Sequence, residues 1–311
     1  MFSRKKQNPQ VVAAGVANVD ADTLVTPSAM RVLVREFLKD KFAIVAFSIA
    51  VVIILGAFVG GIIWSADKVT TVNVLDRYLA PGVDGHILGT DASGRDMFHY
   101  LFVAARNSIF IGVSVAILNE LIGIVLGTVS GYFGGAIDNV LMRIVDFWMV
   151  LPHFLIIIIL AQLVNNLDPL KLVWILTLFS WTSTTRLIRS QILTQAKREY
   201  VMASKTSGTP NVVIMFREVL PNISSFVITD LTLTVASSIG IETGLSFLGF
   251  GLPASQPSLG TLIGYANDPV TIIDYWWVWL PAAVLLLTLS LSINAVGQAL
   301  KRAANARQRR G

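Results

Sequence analysis

Five ionisable residues, Glu120, Arg143, Asp146, Asp230 and Glu242, fall inside stretches otherwise apolar enough for lipid. Charged groups are costly in a bilayer, so each is a candidate for function, pairing or cavity lining. Arg143 and Asp146 lie three apart, a spacing at which helix neighbours form an ion pair. Proton relay would require carboxylates converging at mid-membrane. On the sequence only Glu120 lies that deep, and no intramembrane histidine or basic residue offers it a relay. Structural pairing or cavity lining is therefore the expectation. The chain has no cysteine and only His86, His99 and His153, with no His-Glu-x-x-His run, which leaves no basis for a thiolate or metallohydrolase site. It lacks even a Gly-Lys pair, so it carries no phosphate-binding loop, and any nucleotide that drives it binds another chain. No catalytic residue, metal or cofactor of its own is expected.

The elements that must position these groups are membrane helices. The 311-residue chain is 54% hydrophobic and 14% charged, with mean hydropathy +0.68, against about 25% charge in soluble domains. About 20 apolar residues cross a bilayer, which predicts spans near 42–64, 108–130, 139–165, 171–190, 223–248 and 278–300. Six crossings put both termini on one side. Of the 24 Lys and Arg, 19 fall on the side of the termini and 5 on the other, the bias that marks that side as cytoplasmic. The net charge of +5 is thus topological, and no nucleic-acid partner is expected. Residues 1–27 read as a cytoplasmic tail. Residues 28–41 read as an interfacial helix on the lipid surface, with Ser28 as N-cap and Met30, Leu33, Val34, Phe37 and Leu38 on one stripe. The membrane block 42–300 follows, and 301–311 form a basic cytoplasmic tail.

Between the first two spans, Leu88-Gly-Thr-Asp-Ala-Ser-Gly-Arg-Asp96 supplies turn chemistry. Gly89, Asp91 and Gly94 suit a tight elbow, with Arg95 expected in an ion-pair network between Asp91 and Asp96. In the second span Gly123, Gly127, Gly131 and Gly135 recur every four residues, a seam along which a second helix can approach closely. Pro152 is expected to kink the third span.

Between the fourth and fifth apolar blocks the chain inserts a polar segment, 191–222. A short helix is predicted over about 197–206, ended by Gly208 in a left-handed cap. Pro210 fits the first turn of a second helix over about 210–219, and Leu220-Pro221 breaks it. Ala203, Ser204, Ser207 and Gly208 form a low ridge that a partner groove could admit. Tyr200, Val201, Met202, Val212, Val213, Ile214, Met215 and Phe216 would leave much apolar surface exposed in a solvated loop, so a cover is expected.

Glu199-Tyr-Val-Met-Ala203-Ser204, Gly208 and Leu220-Pro221-Asn222 resemble the EAA loop of permease subunits of binding-protein-dependent ABC importers. Leu88–Asp96, Gly131-Tyr-Phe-Gly-Gly-Ala-Ile-Asp138, Met142-Arg-Ile-Val-Asp146 with Pro152, and Leu245-Ser-Phe-Leu-Gly-Phe-Gly251 are similar to the second permease of dipeptide and oligopeptide importers. The resemblance spans about residues 30–298. It implies an all-α, six-helix type I importer fold in a bacterial cytoplasmic membrane, in contact with membrane lipid. It also implies a homologous permease partner, two ATPase subunits that hold ATP and Mg, and an extracytoplasmic peptide-binding protein. The ATPases would be gripped through Glu199, Tyr200, Ala203, Ser204, Gly208, Glu218, Leu220 and Pro221. The chain departs from the family pattern at Ser204 (alanine), Glu218 (histidine), Leu259 (tryptophan) and its basic C-terminus. An importer of nickel chelates or another small solute is the alternative within the class, and a proton-coupled secondary transporter the alternative outside it.

Overall fold

A computed structural model describes residues 34–64 and 69–308, with side chains to 304. The tail 1–27 and residues 28–33 of the expected interfacial helix lie outside the described residues; 34–37 form one helical turn. Long helices follow: α1 (Lys41–Ile63), α2 (Met97–Phe133), α3 (Gly135–Val150), α4 (His153–Leu163) and α5 (Pro169–Gln195). Then come α6 (Glu199–Thr206), α7 (Ser224–Phe247), the short α8 (Leu259–Gly264) and α9 (Pro269–Asp274), and finally α10 (Trp276–Gln308). Among the described residues the only β pairing is the isolated bridge Thr90–Asp96.

Four of these helices, α1, α2, α7 and α10, are long and apolar enough to cross a membrane alone. α3 and α4 make a fifth if the pair, bent by 75°, is one span. The bend falls at Leu151-Pro152, where the proline was expected to kink the helix; the chain instead breaks into two helices. The sixth predicted span, α5, is long enough but falls short on apolarity, because Thr182-Ser-Thr-Thr185, Arg186 and Arg189 lie within it. Three of these hydroxyls are hidden by the fold, since Thr182, Thr184 and Thr185 are buried, while Ser183 is exposed. The count of six therefore does not follow from composition.

Glycine explains how α5 is sheltered. A Cβ on Gly123 would sit 2.5 Å from Thr184 Cγ2, one on Gly127 2.7 Å from the Thr185 carbonyl, and one on Gly131 2.8 Å from the Arg189 carbonyl. The α2 and α5 backbones touch along this seam, the mode by which helices associate without a hydrophobic driving force. Gly135 was predicted to belong to it and does not. It opens α3 at φ +56° with open space where its Cβ would be, so it serves the turn with Gly134.

Around the seam lie three apolar clusters. One joins α1, the first half of α2, α8 and α10 around Tyr100, Leu259 and Leu289. The second joins α2, α4 and α5 around Ile111, Leu172 and Leu176. The third joins the C-terminal ends of α2 and α5 to the 199–222 segment. At the chain ends, Arg302 donates to Asp40 at 2.6 Å, and Asp40 also caps α1 by accepting from the Ala43 amide. The Arg302 guanidinium holds the Asp40 carboxyl below its ordinary value of 3.8. A lowered carboxyl stabilises the fold above its unfolded value and loses that contribution as pH falls, so this tie is complete at neutral pH and lost on acidification below about pH 4.

Candidate functional site

The 199–222 segment folds as a helical hairpin set on the ends of α2 and α5. α6 ends in a Schellman motif: the Gly208 amide donates to the Lys205 carbonyl at 3.1 Å and the Thr209 amide to the Ser204 carbonyl at 3.1 Å. Gly208 takes φ +78°, as the predicted cap requires. Pro210 precedes the second arm instead of lying inside it. That arm is an α-turn, Asn211–Val213, followed by a π-helical stretch, Ile214–Val219, and then Leu220–Asn222, where a plain α-helix was expected. Leu220 and Pro221 therefore continue the helical path rather than break it. A π-helical stretch is rare and concentrates at functional positions.

The apolar residues of the hairpin divide into two groups, which periodicity over such short arms did not separate. Val201, Ile214, Met215 and Val219 are buried against Tyr132, Ile188 and Ile192 of α2 and α5. Met202, Val212, Val213 and Phe216 stay exposed, Val212 at 63%, beside exposed Ala203, Ser207, Gly208 and Glu199. The protein's own helices thus cover half of the apolar surface and leave a face of small and apolar residues open. Tyr200 is half-buried and its hydroxyl donates to Gln195 Oε1 at 3.2 Å.

Two residues singled out as departures from the family pattern meet. The Ser204 hydroxyl donates to Glu218 Oε2 at 2.7 Å, tying α6 to the π-helical arm. The Asn222 amide donates to the Glu218 carbonyl at 2.8 Å. Tyr132, in the last turn of α2, donates to Asn211 Oδ1 at 2.9 Å and carries the Lys205 ammonium 4.6 Å above its ring. The hairpin is thereby bonded within itself and to α2. Ser204→Ala is expected to lower stability by about 1 kcal/mol. In a double-mutant cycle with Glu218→Ala, read by thermal unfolding in detergent, a coupling indistinguishable from zero would remove this bond from the account.

Two ion pairs on the same side of the bundle were not foreseen in this form. Asp146 does not pair with Arg143: Arg186 of α5 donates to it at 2.5 Å, and Arg143 instead lines an open apolar hollow with Asn139, Val140 and Phe147. Arg189 donates to both Asp138 oxygens at 2.5 Å, and Ser130 donates to the same carboxylate. Asp138 and Arg189 were both visible in the sequence. Their contact depends on the turn at Gly134-Gly135, which folds α3 back onto α5. Removing Arg189 as Ala is expected to cost about 1.5–3 kcal/mol, as for a lost hydrogen bond to a charged group; unchanged thermal stability of that variant would count against it.

The loop before α2 is built as the elbow expected. Gly94 at φ +72° leaves no room for a Cβ against the Asn73 carbonyl, and Gly89 at φ +70° none against the Leu79 carbonyl. Asp91 is buried and accepts from the amides of Ser93 and Arg95 at 2.8 and 2.9 Å, with the Arg95 guanidinium 3.5 Å away. Asp96 is not part of that pair. It caps α2 at the His99 amide and meets His86 Nδ1 at 2.6 Å, because the helix start turns its side chain away from Arg95.

Inside the bundle two carboxyls are buried in protein, Glu242 and Glu120. Glu242 is 0% exposed. It accepts from the Ser108 and Ser246 hydroxyls at 2.7 Å each, while Ser108 Oγ accepts from the Leu259 amide at 3.0 Å. Glu242 therefore fixes the start of α8 between α2 and α7, and Leu259 is fully buried there. Glu120 is 4% exposed, and neither of its carboxyl oxygens has a hydrogen-bond partner among the described residues. It faces Asp230 of α7, so two carboxyls do converge, against the expectation of a single deep one.

An all-helical bundle of membrane-length helices with a docked polar hairpin is the architecture expected of a membrane permease, and comparison with known proteins agrees. Residues 123–306 match the binding-protein-dependent transport system inner membrane component family. The chain belongs to that family. It is similar to the oligopeptide transport system permease protein OppC of Lactococcus lactis subsp. lactis (strain IL1403), 45% identical over 274 residues, covering 88% of this chain and 93% of the relative. It is also similar to the dipeptide transport system permease protein DppC of Bacillus subtilis (strain 168), 35% identical over 298 residues, with 94% and 91% covered. OppC of the same Bacillus strain is 35% identical over 277 residues, 88% of each chain.

Proposed function

We propose that this chain is a permease subunit of an ATP-driven importer of peptides. It forms the translocation path with a homologous permease, crosses the bacterial cytoplasmic membrane six times with both termini inside, and receives substrate from an extracytoplasmic binding protein. The sixth crossing is α5, its hydroxyl face turned onto α2. Two separate ATPase subunits hold ATP and Mg, and one of them grips the 199–222 hairpin. The observation that carries this reading is the hairpin's construction. One side is bonded into the ends of α2 and α5, and the other presents Ala203, Gly208, Met202, Val212 and Phe216 to solvent. Such a part transmits displacement from a partner to the spans without absorbing it in its own bending. The names of its relatives support peptides as the substrate.

The test is uptake of labelled di- and oligopeptides, against nickel chelate, in a strain deleted for this chain and complemented with it. Peptide uptake restored only with intact ATPase partners is the expected result. Restored nickel uptake alone would replace peptide by chelate, and uptake independent of the ATPases would end the importer reading.

A further inference from the structure

Most spans show lipid-compatible outer faces. α1 exposes Val45, Val52, Leu55, Val59 and Ile62, and α10 exposes Val284, Leu287 and Leu291. α7 differs. Its side toward the protein is closed by Thr229, Ala236, Ile239, Thr243 and Ser246. Its other side exposes Ser237, Gly240 and Ile241, and half-buried Asp230, Thr234 and Gly244 continue the same stripe at alternating spacings of four and three. Open space surrounds the position of a Cβ on either glycine. A stripe of this polarity is disfavoured against lipid.

A second, independent observation says what the stripe meets. Glu120 lies almost wholly inside the protein, its carboxyl oxygens meeting no amide, hydroxyl or cationic donor, and faces the Asp230 carboxyl at the N-terminal end of that stripe. One Asp230 oxygen is likewise unpartnered, and Thr184 of α5 stands beside it. The Gly123 seam brings Thr184 there. No lysine, arginine or histidine is paired with either carboxyl among the described residues. Dry packing of another helix over these groups would leave the two carboxyls with little but each other and Thr184 to satisfy them. A cationic group placed between them would supply both donors and opposite charge.

We propose that the open face of α7 lines an aqueous translocation path, and that the Glu120–Asp230 pair forms a subsite in it for the primary ammonium of a substrate. In a peptide that group is the N-terminus or a lysine side chain. The inference rests on the importer reading above and adds the path wall and the substrate group that it attracts.

The chain has no cysteine, so single cysteines report cleanly on the assembled importer in membrane vesicles. Ser237→Cys would be treated with the cationic 2-aminoethyl and the anionic 2-sulfonatoethyl methanethiosulfonate and read as the mass shift of this chain. Val52→Cys and Leu287→Cys serve as lipid-facing controls. Ser237→Cys is expected to react where the controls do not. Its cation-to-anion rate ratio is expected to fall about tenfold when Asp230→Asn and Glu120→Gln are added. Tri-alanine is expected to slow the cationic reaction; an N-acetylated tripeptide with one lysine distinguishes side-chain from terminal ammonium. A Ser237→Cys as inert as the controls, or a ratio unmoved by the two carboxyl substitutions in protein still present in the membrane, overturns the proposal. If the ratio falls while wild-type vesicles take up no peptide, the peptide-importer reading fails and the cation-attracting path stands.

Discussion

Replacing Gly208 by glutamate is expected to abolish uptake while leaving the chain in the membrane at its normal level. Gly208 holds φ +78°, and nothing lies within 4 Å of where its Cβ would be. Within this chain the substitution therefore meets no clash and adds only the strain of a left-handed residue, about 1–2 kcal/mol. The hairpin, bonded to Tyr132 and packed on Ile188 and Ile192, survives that. Its open face does not stay the same. A charged side chain of five non-hydrogen atoms projects from the small-residue ridge where a close-fitting partner groove is proposed, and burying an unpaired charge there costs several kcal/mol. Gly208→Asn separates the two effects, since asparagine tolerates the left-handed region with a smaller, uncharged side chain. It is expected to keep a substantial part of the uptake. Normal peptide uptake by Gly208→Glu would remove the hairpin from the coupling role.

Gly127→Leu is expected to act at the opposite level, removing the folded protein itself. Even a Cβ at Gly127 would stand 2.7 Å from the Thr185 carbonyl and 2.9 Å from the Arg189 amide. Both neighbours are backbone, so no side-chain rotation relieves the contact, and α2 and α5 must separate. Separation uncovers Thr182, Thr184 and Thr185 and strains the Arg189–Asp138 pair. Loss of close packing and of buried polar contacts together exceeds about 4 kcal/mol, the range reserved for severe substitutions. The measurement is the amount of monodisperse protein extracted from membranes, with Gly135→Ala as the contrast. Gly135 lies outside the seam, so only its backbone strain is felt and the yield is expected to stay near normal. Equal yields from Gly127→Leu and wild type would mean that α2 and α5 are not held by this contact.

These two glycines show where the sequence is readable. A four-residue glycine period announces a close helix contact whatever the partner, so Gly123, Gly127 and Gly131 were legible and their partner α5 was not. The period also carried on to Gly135, because spacing cannot register that the helix has ended at Phe133. Gly208 was legible for a different reason: a left-handed cap is a local backbone need that glycine meets alone, and tertiary contacts do not alter it. The carboxyls were the least legible. Position along a span suggests depth, but whether Glu242 finds two serine hydroxyls or Glu120 finds Asp230 depends on which helices become neighbours. Asp146 and Arg143 show the same limit, since an available local pair lost to Arg186 on another helix.

By itself the sequence determined what is set by residue type and short-range periodicity: a chain composed for lipid, an all-helical class, the elbow glycines, the capped polar hairpin and the family to which it belongs. The tertiary structure alone decided which side of the hairpin is covered and which open, that Ser204 and Glu218 bond to one another, that a polar α5 is sheltered by α2, and that one face of α7 stays polar and unfilled. The physical reason is that helix formation answers to neighbours three and four residues away. Burial and pairing answer to residues tens to hundreds of positions apart, which become neighbours only when the helices have packed.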